Sequence, residues 1–240
     1  MILGIAKYYF LKSKLSLTML IDFKSCSKIV NLISDTRIEN IYHIGAHEGQ
    51  EIQSYAENGA KKIIWFEANL AVIEKLNDNI SKYSIDNQIV PYALWNKNTK
   101  VEFNITNFNQ SSSIFEINKH AEYYPQITVE SKIEINAFRL DSLIEIQKGF
   151  LKWHDFDFIN IDTQGAELAI LEGMGHYLSA ESLKSIYLEV NNEELYKGIP
   201  MVGEIDTYLK KFNFVRVKTI WSNSGWGDAL YVKPSTYFKL

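Results

Sequence analysis

Two glycines and a glutamate are spaced to hold a nucleoside. Ile41-Tyr42-His43-Ile44-Gly45-Ala46-His47-Glu48-Gly49 runs a short apolar stretch into a paired-glycine turn, and Phe66-Glu67 follows, with Glu67 eighteen residues beyond Gly49. A glycine at the carboxyl end of a strand lets the chain turn sharply, and a second lets backbone approach a ligand. Gly45 and Gly49 suit those roles. A carboxylate closing the next strand accepts the hydroxyl protons of a ribose, which makes Glu67 the ribose candidate. The dinucleotide fingerprint needs a third glycine at G-x-G-x-x-G spacing, and here Gly45 and Gly49 stand four apart, so a nicotinamide cofactor ranks second to an adenosyl one.

Other residues that carry chemistry close later strands. Asp162 ends the apolar run Phe156-Asp157-Phe158-Ile159-Asn160-Ile161, and Glu189 stands near the end of Ser185-Ile186-Tyr187-Leu188-Glu189-Val190. Asp162 is the first candidate for a general base or for orienting an acceptor; the alternative is a helix cap. Asp162, Glu189 and Asn191 together would suit magnesium, whose ligands are oxygens, although no metal is expected. His120, beside Tyr123 and Tyr124, is a candidate to approach an acceptor, with a surface histidine as the plain alternative. Gln110 to Ser113 offer polar groups suited to a polyol. Trp226 and Asp228 suit carbohydrate stacking, and Trp221 is expected to pack in the core.

The elements that must position these groups alternate strand and helix. Helices are expected from Gln50 to Asn58 and from Asn69 to Tyr83, with strands at Lys62 to Phe66 and Gln88 to Leu94. Asn69 is then a helix N-cap, a ribose neighbour or both, and Ala93 and Leu94 wall the adenine pocket. Period-two runs at Val101 to Thr106 and Lys132 to Ala137 mark a β-rich cover inserted at about 96–138. Strands at Phe214 to Trp221 and Asp228 to Val232 form a closing antiparallel hairpin. The expectation is an α/β, Rossmann-like seven-stranded fold: a mostly parallel sheet, a C-terminal antiparallel hairpin, and helices on both faces.

The 240 residues hold 46% hydrophobic side chains, enough for one core, with a net charge of −4 that disfavours a nucleic-acid partner. The single cysteine, Cys26, fits a reducing cytoplasm. Residues 1–38 form a predicted helical extension and 39–240 the main domain. The first 28 residues carry Lys7, Lys12, Lys14, Lys24 and Lys28 against Asp22. Two readings stand: a helix that packs on the domain, or one that lies on an anionic membrane face or a partner.

Four blocks give the chain a family likeness over roughly Ile41 to Val232: His43-Ile-Gly45-Ala46-His47-Glu-Gly49-Gln50, Phe66-Glu67-Ala68-Asn69, Arg139-Leu-Asp141-Ser-Leu143, and Ile161-Asp162-Thr-Gln164-Gly165-Ala166-Glu167 with Leu171-Glu-Gly173. They resemble the FkbM family of S-adenosylmethionine-dependent methyltransferases. The family usually has an acidic residue where this chain has His43, a lysine at Asn160 and a glutamate at Gln164. The resemblance implies S-adenosylmethionine held by Gly45, Ala46, Gly49, Gln50, Glu67, Ala68, Asn69, Ala93, Leu94 and Asp162, with His43 near its methionine part. It implies O-methylation of a sugar or other small metabolite, in surface-glycan or natural-product biosynthesis, with Asp162, Glu189 and His120 as catalytic candidates. A binding or scaffold protein that kept the fold without turnover is the reading from another class.

Overall fold

The computed structural model describes residues 19–146 and 155–235. Lys7, Lys12 and Lys14 of the basic N-terminal stretch lie outside the described residues. Helix α1 (Phe23–Ser34) begins at Asp22, whose side chain accepts the Ser25 amide, and buries Phe23, Cys26, Val30 and Ile33. It packs on the sheet, as the first of the two readings expects for this part of the stretch.

The central sheet has seven strands. In chain order these are β1 (Asn40–Ile44), β2 (Lys62–Phe66), β3 (Asp86–Val90), β7 (Phe158–Ile161), β8 (Ser185–Asn191), β9 (Val215–Trp221) and β10 (Trp226–Val232). Their spatial order is β3-β2-β1-β7-β8-β10-β9. The first five are parallel, and β10 runs antiparallel between β8 and β9. Strand order reverses at β1, and an open parallel sheet takes ligands outside the carboxyl ends of its strands at that point.

Side chains alternate faces along each strand. Ile41, Ile63, Trp65, Phe158 and Leu230 pack with α1, α2 (Ile52–Glu57) and α3 (Ile73–Ile80). Tyr42, Ile44, Ile64, Phe66, Ile159 and Ile161 face the other layer, α5 (Leu140–Ile146), α6 (Glu167–Gly173) and α7 (Val202–Lys210). A sheet covered on both faces explains why its strands read as nearly continuous apolar runs.

The expected third strand, Gln88 to Leu94, is divided in the structure. β3 stops at Val90, because Pro91 has no N–H to continue the ladder. Ala93–Leu94 (β4) joins a second sheet of order β4-β6-β5, with β5 (Thr99–Thr106) and β6 (Val129–Phe138). Between β5 and β6 lie a 3-10 turn at Asn109–Ser111 and the short helix α4 (His120–Tyr123). Arg139 fastens this sheet to the core: its guanidinium forks onto Asp141 at 2.9 and 2.5 Å and donates to Asn96 O at 2.9 Å. Its neighbours are structural, away from the cavity described next.

Candidate functional site

A cavity of about 480 Å³ opens at the carboxyl ends of β1, β2 and β7, beneath the second sheet. That size falls within the range of about 300–1,000 Å³ usual for small-molecule sites. Its geometry begins at Gly45. The Gly45 and Ala46 amides both donate to Phe66 O, at 2.9 and 3.0 Å, and the Asp162 amide donates to Ile44 O at 2.9 Å. The ends of the three strands are thereby locked together. Gly45 has φ +86°, and a Cβ there would lie 1.8 Å from Asp162 O. Glycine is required on both grounds.

The turn then presents backbone to Glu67. The His47 amide donates to Glu67 Oε2 at 2.7 Å and the Asn69 amide to Oε1 at 2.6 Å. Burial raises the Glu67 pKa, and these amides oppose the rise. Asn69 caps the following 3-10 turn through the Ala71 amide at 3.1 Å, while its Nδ2 is a buried donor with no partner among the described residues. His43, Gly45, Ala46, Gln50, Ala68, Ala93 and Leu94 line the same cavity. Gly49 does not. Its φ is +70°, and a Cβ there would meet Leu76 Cδ1 at 2.7 Å, so this glycine serves the packing of α3 on the turn. The helix expected from Gln50 begins at Ile52 instead, because the turn occupies residues 49–51.

Asp162 and Glu189 meet through one side chain. Gln164 Nε2 donates to Asp162 Oδ1 at 3.0 Å and to Glu189 Oε2 at 2.8 Å. Gln164 sits at φ +57°, unusual outside glycine, and its Oε1 lies 3.0 Å from the Tyr196 hydroxyl. Asp162 does not cap the next helix. The N-cap of that helix is Ala166, with no side-chain cap, and α6 starts at Glu167, whose Oε1 folds back to hold the preceding turn by accepting the amides of Thr163 and Gly165 at 3.1 and 3.2 Å. Glu189 is buried, and burial together with the charges of Asp162, Glu167 and Asp228 raises its pKa well above the carboxylate range.

His120 is buried, against the alternative of a surface histidine; its ring packs on Tyr124 and Tyr196 with centroids 4.8 and 5.2 Å apart. It lines the cavity from the cover, as do Gln110, Ser111 and Ser112. Trp226 lines it too, its Nε1 donating to the Tyr124 hydroxyl at 3.2 Å. Trp221, expected in the core, is exposed on β9. Among the described residues no group of three or more His, Cys, Asp or Glu side chains is placed to hold a metal ion.

Register reveals a polar row that sequence reading misses. His43 pairs with Asn160, and Asn160 with Tyr187, across β1, β7 and β8. Asn160 Nδ2 donates to the Tyr55 hydroxyl at 2.9 Å, and that hydroxyl lies 3.1 Å from His43 Nδ1. Burial pushes the His43 pKa down to about 3, so the ring is neutral. Glu51 and Asp228 adjoin the row; Asp228 accepts the Leu20 amide at 2.6 Å and the Tyr187 hydroxyl. The visible signal was a histidine and an asparagine interrupting apolar strands, but the partners of each come from distant segments.

A family profile described as methyltransferase FkbM domain matches residues 43–216. No protein of curated function matches the chain. Among solved structures, an S-adenosylmethionine-dependent methyltransferase from Clostridium acetobutylicum is similar over 97% of this chain and 100% of its own, at 7% identity and a TM-score of 0.50. M. capricolum TrmK in complex with S-adenosyl-homocysteine covers 89% of this chain and 70% of its own, at 11% identity and a TM-score of 0.46. The first of these likenesses bears on the fold alone.

Proposed function

The chain belongs to the FkbM methyltransferase family, and from that premise we propose that it moves a methyl group from S-adenosylmethionine to a hydroxyl of a sugar or other small metabolite, in surface-glycan or natural-product biosynthesis. One observation carries the reading. The turn around Gly45 and Glu67 and the Asp162–Gln164–Glu189 bridge line a single cavity, roofed by the polar segment at Gln110 to Ser112.

The residues present fit the cofactor. Glu67 has each oxygen fixed by one amide, leaving lone pairs for ribose hydroxyls, and Asn69 Nδ2, which has no partner among the described residues, offers a further donor. Ala93 and Leu94 supply an apolar wall for a base. When bound, S-adenosylmethionine supplies a methyl group on a positively charged sulfur. The protein's own part is to align the acceptor and take its proton.

Asp162 is assigned that proton, at its carboxylate oxygens. It is exposed, whereas Glu189 is buried, with its pKa raised by burial, and orients Asp162 through Gln164. His120, Ser111 and Ser112 hold the acceptor from above, and the cover excludes water. No lysine or arginine lines the cavity among the described residues, which favours an uncharged acceptor and speaks against nucleic acid. Among the described residues no helix is long and apolar enough to cross a membrane. Cytoplasmic residence is our reading from the lone, buried Cys26, with the basic N-terminal stretch as the contact for an anionic membrane face.

The test is transfer of isotopically labelled methyl from S-adenosylmethionine to a panel of neutral sugars, polyols and phenols, with amines and thiols alongside. O-methyl products are expected. Transfer only to nitrogen or sulfur contradicts the hydroxyl assignment, and cofactor binding without transfer to any member favours the scaffold reading.

A further inference from the structure

We infer that Glu51, together with the amide oxygen of Asn160, receives the ammonium group of the cofactor's amino-acid arm. The inference rests on the cofactor reading above and names a part of the site that the sequence motifs leave out.

Among the described residues Glu51 is a buried acid with no lysine or arginine paired to it. It follows the turn after β1 and lines the cavity. The nearest basic atom among the described residues is His43 Nε2 at 4.0 Å. That histidine does not neutralise it. Its ring is buried and neutral, and its Nδ1 lies 3.1 Å from the Tyr55 hydroxyl, which also accepts from Asn160 Nδ2. Burial, with Asp162 and Asp228 adding like charge, pushes the Glu51 pKa up to about 8. A buried carboxyl in such surroundings is costly unless something positive is placed beside it.

Asn160 supplies an independent observation. Its Nδ2 donates to Tyr55, and its Oδ1 is buried at the cavity with no donor among the described residues. The carboxylate and the carbonyl are both acceptors. An ammonium is their complement, since it brings three donors, no acceptor and one positive charge. The location also fits: Glu67 follows β2 and Asn160 lies on β7, on either side of β1, so a cofactor held by its ribose at Glu67 would have Glu51 and Asn160 available to its amino-acid arm. A cation on the acceptor would instead be expected beneath Ser111 and His120, on the cover side.

Calorimetric titration with three ligands tests this: S-adenosylhomocysteine, its desamino analogue, and 5′-methylthioadenosine, which lacks the whole arm. Wild type should bind S-adenosylhomocysteine at least about ten-fold more tightly than the desamino analogue. Glu51→Gln should remove that difference while leaving methylthioadenosine binding unchanged, which also reports a folded nucleoside end. Equal wild-type affinity for the first two ligands overturns the inference even if the variant fails to fold. So does a Glu51→Gln variant that weakens all three ligands alike or none of them. Wild-type failure to bind any of the three is a different result, because it removes the cofactor reading itself.

Discussion

The carbonyl oxygen of Asp162 occupies the space where a Cβ on Gly45 would stand, 1.8 Å away. This places the end of β7 directly against the turn that follows β1 and sets the distance between the candidate base and the cofactor turn. Gly45→Ala should therefore both strain the backbone at φ +86° and separate the two strand ends, lowering stability by about 3 kcal/mol or more. Gly49→Ala meets side chains rather than backbone, Leu76 Cδ1 at 2.7 Å, which can rotate away, and Ile80 Cγ2 at 3.1 Å, although its φ of +70° still strains an alanine. Thermal denaturation should rank Gly45→Ala well below Gly49→Ala, and equal melting points would contradict the account.

Asp162→Asn should keep the hydrogen bond to Gln164 within reach of a rotated amide but remove the proton acceptor. Turnover on a hydroxyl acceptor is expected to fall about 100-fold or more, the usual scale for losing a general base. The dissociation constant for S-adenosylhomocysteine should move little. Steady-state kinetics beside calorimetry separates the two quantities, and unchanged turnover would remove Asp162 from the role.

Stability should fall as pH rises from about 6.5 to about 8. Burial raises Glu51 to about 8 and Asp157, Glu167 and Asp228 to about 7. In that window the unfolded chain has already lost these protons and the native state still holds part of them, so the native state binds more protons and each rise in pH favours unfolding. His43, depressed to about 3, acts in the opposite sense but below its unfolded value of about 6.5. Lys233, lowered to about 8, acts above the window. Melting temperatures of the ligand-free protein across this range check the sign, and a rise would contradict it.

Cys26 should be inert in the native protein. It is fully buried on the inner face of α1, with its Sγ 3.6 Å from Ile21 O, and burial raises its pKa far above that of a free thiol. Iodoacetamide at pH 8 is expected to label it only when denaturant unfolds the chain. Rapid native labelling would mean that α1 does not stay docked on the sheet.

Much of the frame was legible because parallel strands covered on both faces must be apolar throughout, so β1, β2, β7 and β8 announce themselves, and the carboxylates that end β2 and β7 stand out against them. The sequence was less informative where a single backbone group decided the outcome. Pro91 diverts Ala93–Leu94 into the second sheet, yet these residues still wall the cavity. Glu51 was illegible for another reason: beside a turn and a helix start it looks like any exposed charge, and only the fold shows it buried beside His43 of β1. The contact of Leu20 with Asp228 joins residues 208 apart, which no local pattern signals.

The most direct test of the central claim is calorimetric titration of wild type and Glu67→Ala with S-adenosylhomocysteine. Glu67 holds the amides of His47 and Asn69 in the turn and is the assigned ribose partner. Micromolar binding by wild type, weakened about 100-fold or more in the variant, is the expected result. Binding of equal strength in both proteins, or none in wild type, would contradict the assignment of this cavity to the cofactor.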